Sequence, residues 1–244
     1  MNTPTPINAD THAEFKVSPL FSLLQISDPL FPIGGYTQSF GLETYVQKGI
    51  VHDADTSQKY LKSYLLNQFL YNDLLAVRLA WEYADREDLE AIGGLDRLLS
   101  AAKASREPRM GSIKLGVRFS RIVDTVLKGR RLFDSYVQAI ESGNCAGHYS
   151  VMYGVAAKLL GIGKTEALSA FSYGAASAIV TNCAKLVPIS QKDGQDILFG
   201  AHGALQQLID EVEALNEDSL GTCCPGFDLR AMQHERLYSR LYIS

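Results

Sequence analysis

The stretch DTSQKYLKSYLLNQFLYNDLLAVRLAWEYA, residues 55–84, decides the fold class. Its apolar side chains recur three or four residues apart, as one buried face of a helix requires. These side chains are Leu61, Leu65, Phe69, Leu70, Leu74, Val77 and Trp81. The stretch therefore predicts one long helix or two collinear helices.

Helical periodicity dominates the rest of the chain as well. Further helices are predicted at about residues 89–103, 107–128, 132–142, 148–160, 165–186 and 190–215. Gly93-Gly94, Gly129, Gly143 and Gly161 punctuate these segments, and Pro188 separates the last two. We find no convincing alternating strand and no tandem period. The sequence predicts an all-α protein, a single helical bundle of about eight to ten helices.

Composition suggests one large domain or two closely packed halves, with a tail at each end. The chain has 244 residues, of which 46% are apolar, enough for a sizeable core. Residues 1–19 are polar with three prolines and predict a mobile N-terminal tail. Residues 20–224 form the predicted helical domain, and residues 225–244 a C-terminal partner-binding tail. No apolar leader follows a basic segment, so we expect a cytoplasmic protein.

Charge limits the classes of partner. Lys and Arg number 23 against 27 Asp and Glu, a formal net charge of −4. We see no dense basic stripe, which argues against nucleic-acid or anionic-membrane binding. Proteins or small molecules remain as partners.

Residues 167–184 contain no charged side chain, a length that could span a membrane. However, Ser169, Ser172 and Asn182 would each need a hydrogen-bonding partner in lipid, whereas a soluble bundle supplies one. The small side chains at 174–178 would let another helix approach closely. We favour packing inside the core over a homodimer interface at this position.

No catalytic or metal site is predicted. Residues 161–165, GIGKT, resemble the end of a phosphate-binding loop, but Lys158 stands where that motif needs glycine and a helix precedes it. The five histidines are scattered. The four cysteines, Cys145, Cys183, Cys223 and Cys224, are most simply thiols. Cys223 and Cys224 are interpreted as part of a loop, with a weak metal contact shared between subunits as the alternative.

The segment ISDPLFPIGGYTQSFGLE, residues 26–43, joins a rigid loop to a helix start. Pro29 and Pro32 fix φ, and Gly34 permits angles closed to other residues. The loop is too apolar to be solvated, so it is expected to pack on its own helices or on a partner. Thr37 or Ser39 would cap the helix predicted to begin near Phe40, with Glu43 near its positive end.

Two further segments are candidate binding elements. Lys185 follows the uncharged helix, where it can complement the negative helix end or meet an anionic partner. The ending HERLYSRLYIS, residues 234–244, is rich in Tyr and Arg, the residue types favoured at interface hot spots. Such a tail can dock on its own bundle or be ordered by a partner.

These segments carry a family resemblance. Residues 26–43, the stretch NCAKLVPISQKDGQ at 182–195 and the ending at 234–244 resemble the UreF urease accessory proteins in order and spacing. The resemblance covers nearly all of the chain after about residue 20. Many relatives have His at the position of Gln38, so a metal role cannot be transferred there.

The resemblance implies a non-catalytic assembly factor. Such a protein would form a homodimer and bridge the accessory protein UreD/UreH to the GTPase UreG, enabling GTP-dependent nickel insertion into apo-urease. It would need no cofactor of its own, since nickel and GTP are handled by partners. The alternatives are a regulator that activates or restrains UreG, with Lys185 as an inserted cation, and a metallochaperone that binds nickel itself. The predicted partner-binding residues are Pro32, Gly34, Glu43, Lys185, Tyr238, Arg240, Leu241 and Tyr242.

Overall fold

The computed structural model describes residues 18–35, 38–222 and 224–243, and these residues form helices without strands. The prediction of an all-α protein is thus confirmed. Residues 1–17, most of the predicted N-terminal tail, lie outside the described residues, as does Cys223. The helices in chain order are α1 Pro19–Ile26, α2 Leu42–Gln47, α3 Ala54–Tyr64, a π-helix Leu65–Leu74, α4 Leu75–Asp85, α5 Leu89–Ala102, α6 Arg106–Leu127, α7 Arg131–Glu141, α8 Tyr149–Leu159, α9 Lys164–Leu186, α10 Gln191–Ala214, a 3-10 turn Glu217–Ser219 and α11 Pro225–His234.

Residues 55–84 lie in one helical run, as their periodicity predicts. Asp53 starts α3 with a capping box, in which its carboxylate accepts from the Thr56 amide at 2.8 Å. The run stays helical through Asp85, but its middle is π-helical. This wider turn shifts the register of the side chains that follow, so strict helical periodicity does not anticipate it.

The core is centred on α8, whose residues from Ser150 to Ala157 are all buried. It packs against α4 on one side and α6 on the other. Gly154 permits the first contact, since a Cβ there would lie 2.8 Å from the Ala80 Cβ. Small side chains thus set how closely α8 approaches its neighbours.

A buried carboxylate holds the loop that leads into α8. Asp96 of α5 is fully buried and accepts from the Ala146, Gly147 and His148 amides and from the Tyr136 hydroxyl. His148 is also buried, with its ring nitrogens 3.1 Å from Ser112 Oγ and 2.8 Å from Ser100 Oγ. Burial lowers the pKa of His148 to about 4, which keeps the imidazole neutral at pH 7.

The helix α9 is less buried than its uncharged sequence predicts. Ala176 is buried, but Gly174 and Ala178 are exposed. The expectation that the whole 174–178 cluster packs inside the core is therefore wrong, because α9 lies on the surface of the bundle with one face covered. The homodimer interface stays a prediction.

Several local expectations are also settled. Ser190 and Asp193 form the expected capping box at the start of α10. Gly93 and Gly94 lie within α5, which matches the helix predicted at about residues 89–103. The phosphate-loop interpretation fails as expected, because α8 precedes residues 161–165 and the Lys164 ammonium lies 3.0 Å from Glu82 Oε1 and 2.7 Å from Glu213 Oε2.

We predict opposite effects for two glycine substitutions. A Cβ at Gly116 would overlap the Gly147 carbonyl oxygen and lie 2.7 Å from the Tyr149 amide nitrogen, whereas a Cβ at Gly94 would meet no atom within 4 Å. Gly116→Ala should therefore lower the free energy of unfolding by about 2 to 3 kcal/mol. Gly94→Ala should raise it by about 0.5 to 1 kcal/mol through helix propensity. Urea denaturation measures both, and equal effects would contradict the packing described for α6 and α8.

Candidate functional site: a latched C-terminal tail

The C-terminal segment begins with α11, which packs against α2 and α6. Pro225 occupies the first turn of α11, where its missing N–H costs nothing. Gly41 precedes α2 with φ of +91°, and a Cβ there would lie 3.1 Å from the Ala231 Cα. The helix expected to begin near Phe40 begins at Leu42, and its N-cap is Gly41, so the cap expected from Ser39 is wrong. Thr37, the other predicted cap, lies outside the described residues.

His234, the last residue of α11, lies between two carboxylates. Its Nε2 is 3.0 Å from Glu43 Oε2, and its Nδ1 is 2.6 Å from Glu107 Oε2. The imidazole is fully buried and Glu43 is only 4% exposed. Each ring nitrogen of His234 therefore lies within hydrogen-bonding distance of a carboxylate oxygen.

The same carboxylates hold the residues that follow His234. Glu43 Oε1 accepts from the Leu241 amide at 2.7 Å, and Glu43 Oε2 accepts from the Tyr242 amide at 3.2 Å. Arg240 donates to Glu107 Oε1 at 2.7 Å. We call the set Glu43, Glu107, His234 and Arg240 the tail latch. It fastens the last residues of the chain to α2 and α6.

The latched tail divides its side chains between the bundle and solvent. Tyr242 is buried, and this burial raises the pKa of its hydroxyl to about 12. Tyr238 is fully exposed, Leu241 is 64% exposed and Ile243 is 60% exposed. The tail therefore docks on its own bundle while presenting three large side chains to solvent, and binding of a partner to these side chains stays a prediction.

The loop before α2 lies against α6. Arg118 donates to the Ile33 carbonyl at 3.1 Å, and Phe31 packs on Phe119 with ring centroids 5.5 Å apart. Gly34 has φ of +82°, and a Cβ there would overlap the Arg118 guanidinium. Pro32 and Leu30 are exposed. Part of the apolar loop thus packs on its own helices, and part remains open to solvent.

Lys185 stands exposed in the last turn of α9. One turn earlier, Asn182 donates to the Gln38 carbonyl at 2.9 Å, which ties this end of α9 to the segment between the loop and α2. Lys185 makes no ion pair within the described parts of the chain. Of the predicted partner-binding residues, Glu43 contacts Leu241 and Tyr242 directly, Arg240 is linked to them through Glu107 and His234, and Gly34 lies against Arg118 of α6.

Sequence reasoning missed His234 and Glu107. They are 127 residues apart, and His234 is 191 residues from Glu43, so no local spacing marks the set. Glu43 lies in the first turn of α2, as expected, but its carboxylate contacts His234 and the tail amides. An acidic residue in the first turn of a helix has a sufficient local explanation, which hides its long-range role.

Neither metal coordination nor membrane insertion is indicated by the described residues. Nowhere in the described ranges do three His, Cys, Asp or Glu side chains adopt an arrangement that could hold a metal ion. None of the helices formed by these residues combines the length and apolar character that a membrane crossing needs. Cys145, Cys183 and Cys224 are free thiols.

Comparison with known proteins identifies the family. The UreF family model matches residues 51–202. A protein of Actinobacillus pleuropneumoniae named urease accessory protein UreF is 40% identical over 225 residues, covering 92% of this chain and 99% of that protein. The chain belongs to the UreF family. The UreF proteins of Haemophilus influenzae strain Rd, 40% identical over 229 residues with 94% and 97% coverage, and of Lachnoclostridium phytofermentans, 32% identical over 225 residues with 92% and 98% coverage, extend the match.

These alignments span more of the chain than the family model does. Alignments that reach 99% of a UreF protein include nearly its whole length, whereas the family model ends at residue 202. The sequence-based assignment to the UreF urease accessory proteins is confirmed.

Proposed function

We propose that this UreF-family chain is a non-catalytic urease assembly factor. It pairs with a second copy and bridges UreD/UreH to the GTPase UreG, so that GTP-dependent changes in UreG govern nickel delivery to apo-urease in the cytoplasm. Nickel and GTP are handled by the partners and the complex. Family membership supports the general role, and the tail supports the binding role.

The observation that carries the proposal is the latched tail with its outward side chains. Tyr238, Leu241 and Ile243 are exposed although buried polar contacts fix the backbone beside them. Fixing the backbone in advance lowers the entropic cost of binding a partner. Aromatic and aliphatic anchors of this kind typically supply most of the binding free energy at an interface. We assign this surface to UreD/UreH.

Purified components test the assignment. The double variant Tyr238→Ala/Leu241→Ala should weaken binding to UreD/UreH at least about tenfold, since two anchors are lost. Phe199→Ala is the matched control, because Phe199 is an aromatic residue 69% exposed on α10. Titration calorimetry and size-exclusion chromatography with light scattering give the affinity and stoichiometry. Unchanged affinity of the double variant, or a wild-type chain that neither pairs nor binds UreD/UreH, would disprove the bridge.

Lys185 favours one second candidate function, the regulation of UreG. It is an exposed ammonium at the end of α9 without an ion pair in the described part of the chain. A cation at such a position can stabilise charge on a transferring phosphate. Lys185→Ala should then change the GTP turnover of UreG at saturating complex, whereas the exposed control Lys62→Ala should not. Lost binding with unchanged turnover at saturation would leave Lys185 as an anchoring residue only.

A further inference from the structure

The segment 106–131, which comprises α6, the turn after it and the first residue of α7, concentrates positive charge on a protein that is acidic overall. Residues 106–131 contain eight Lys or Arg and two Asp or Glu, a formal charge of +6. Since the whole chain carries −4, the remainder carries −10. The net charge hides this asymmetry, so the expectation from composition that no basic stripe exists is wrong.

The positive side chains share one exposed face. Exposed positions along α6 recur three or four residues apart, the spacing of a single helical face. We call the basic members of this face the α6 stripe. They are Arg106, Lys114, Arg118, Arg121 and Lys128. Over 22 residues the helix extends about 33 Å, long enough to run along a substantial interface.

These charges are not neutralised by their own chain. Arg106, Lys114, Arg121 and Lys128 form no ion pair with any described residue. Arg118 meets only the Ile33 carbonyl of the loop. Cations spaced along one face and held in no ion pair raise the local potential, and this favours an acidic partner surface.

The stripe is continuous with the latched tail. Arg106, Met110 and Lys114 of α6 line one cleft of about 290 Å³ together with Ile243 of the tail. Met110, Leu241 and Ile243 are exposed apolar side chains. An apolar centre bordered by charged side chains is the usual composition of a protein–protein interface.

We infer that the α6 stripe is the electrostatic docking surface for an acidic face of the same protein that engages the C-terminal tail. This inference rests on the proposed function, in which that protein is UreD/UreH. A long polyanion, such as nucleic acid or an anionic membrane, would also be repelled by the net charge of −10 that the rest of the chain carries. A compact acidic patch contacts the stripe without that repulsion.

Charge reversal at matched positions tests the inference. Lys114→Glu/Arg121→Glu reverses two stripe charges, and Lys62→Glu/Arg86→Glu makes the same change in net charge at exposed positions of α3 and the end of α4. The stripe variant should associate with UreD/UreH about tenfold more slowly at low ionic strength and lose most of its salt dependence. The control should stay within about twofold of wild type. Biolayer interferometry across a salt series measures both, and urea unfolding verifies that each variant is folded.

The outcomes separate this inference from the proposed function. If Tyr238→Ala/Leu241→Ala loses binding but the stripe variant keeps the wild-type association rate and salt dependence, only the stripe assignment is wrong. If wild-type chain forms no complex with UreD/UreH, the proposed function is wrong and the stripe assignment fails with it. Duplex DNA and phosphatidylserine vesicles are the remaining probes. If the wild-type chain binds DNA or the vesicles, and the stripe variant loses that binding while its association with UreD/UreH is unchanged, the assignment to an acidic protein is wrong.

Discussion

Replacing Glu43 by alanine should release the C-terminal tail and lower the free energy of unfolding by about 3 to 5 kcal/mol. The Glu43 carboxylate is 4% exposed and meets His234 and the Leu241 and Tyr242 amides. Without it, a buried imidazole loses one of its two acceptors and both amides must find water. Urea denaturation measures the loss, and trypsin cleavage at Arg236 and Arg240 should become faster because the tail spends more time detached.

Two further variants test whether the lost contacts of the Glu43 carboxylate cause the loss of stability. Glu43→Gln keeps the volume and one acceptor oxygen, so it should lose less stability than Glu43→Ala. Glu235→Ala removes an exposed carboxylate next to His234 and should change stability by less than about 0.5 kcal/mol. If Glu43→Ala unfolds and is cleaved like wild type, the latch does not hold the tail.

The latch also sets an expectation for binding. In Glu43→Ala, Tyr238 and Leu241 are still present, but their backbone is no longer held in place. UreD/UreH binding should therefore weaken although no anchor side chain is lost, because ordering the tail then costs free energy. Full affinity in Glu43→Ala would mean that the partner does not need a preordered tail.

The sequence predicted the helices well because their causes are local. Apolar spacing placed the run at 55–84, and the Ser190–Asp193 pair placed the start of α10. The failures have physical reasons too. A π-helical middle changes the register of the side chains that follow it, which a regular α-helical period does not anticipate.

The candidate site was predicted only in part. Arg240 and Tyr242 were found because the tail composition is unusual for a terminus. His234 and Glu107 were not, since each alone looks like an ordinary charged or polar helix residue and only the fold brings them together. The α6 stripe was missed for a different reason. Whole-chain charge averages over faces, and exposure decides which cations share one face.

Asp96→Ala should be the most destabilising single substitution in the core, lowering the free energy of unfolding by about 4 kcal/mol or more. Asp96 is fully buried and accepts four hydrogen bonds, from three successive amides at 146–148 and from Tyr136. Its removal leaves all four buried donors without this acceptor. Because those amides form the entry to α8, hydrogen exchange at residues 146–148 should accelerate with the loss of stability.

Asp96→Asn removes the charge and one acceptor oxygen but keeps the volume of the side chain, so it separates these two causes of destabilisation. The asparagine keeps the shape but directs an NH₂ group at amides that are themselves donors, so it should still cost about 2 to 3 kcal/mol. Glu90→Ala, an exposed change on the same helix, should cost less than about 0.5 kcal/mol. An Asp96→Asn protein with wild-type stability would show that the amides at 146–148 do not depend on the carboxylate. The loop could then be held by the His148 contacts with Ser100 and Ser112 alone.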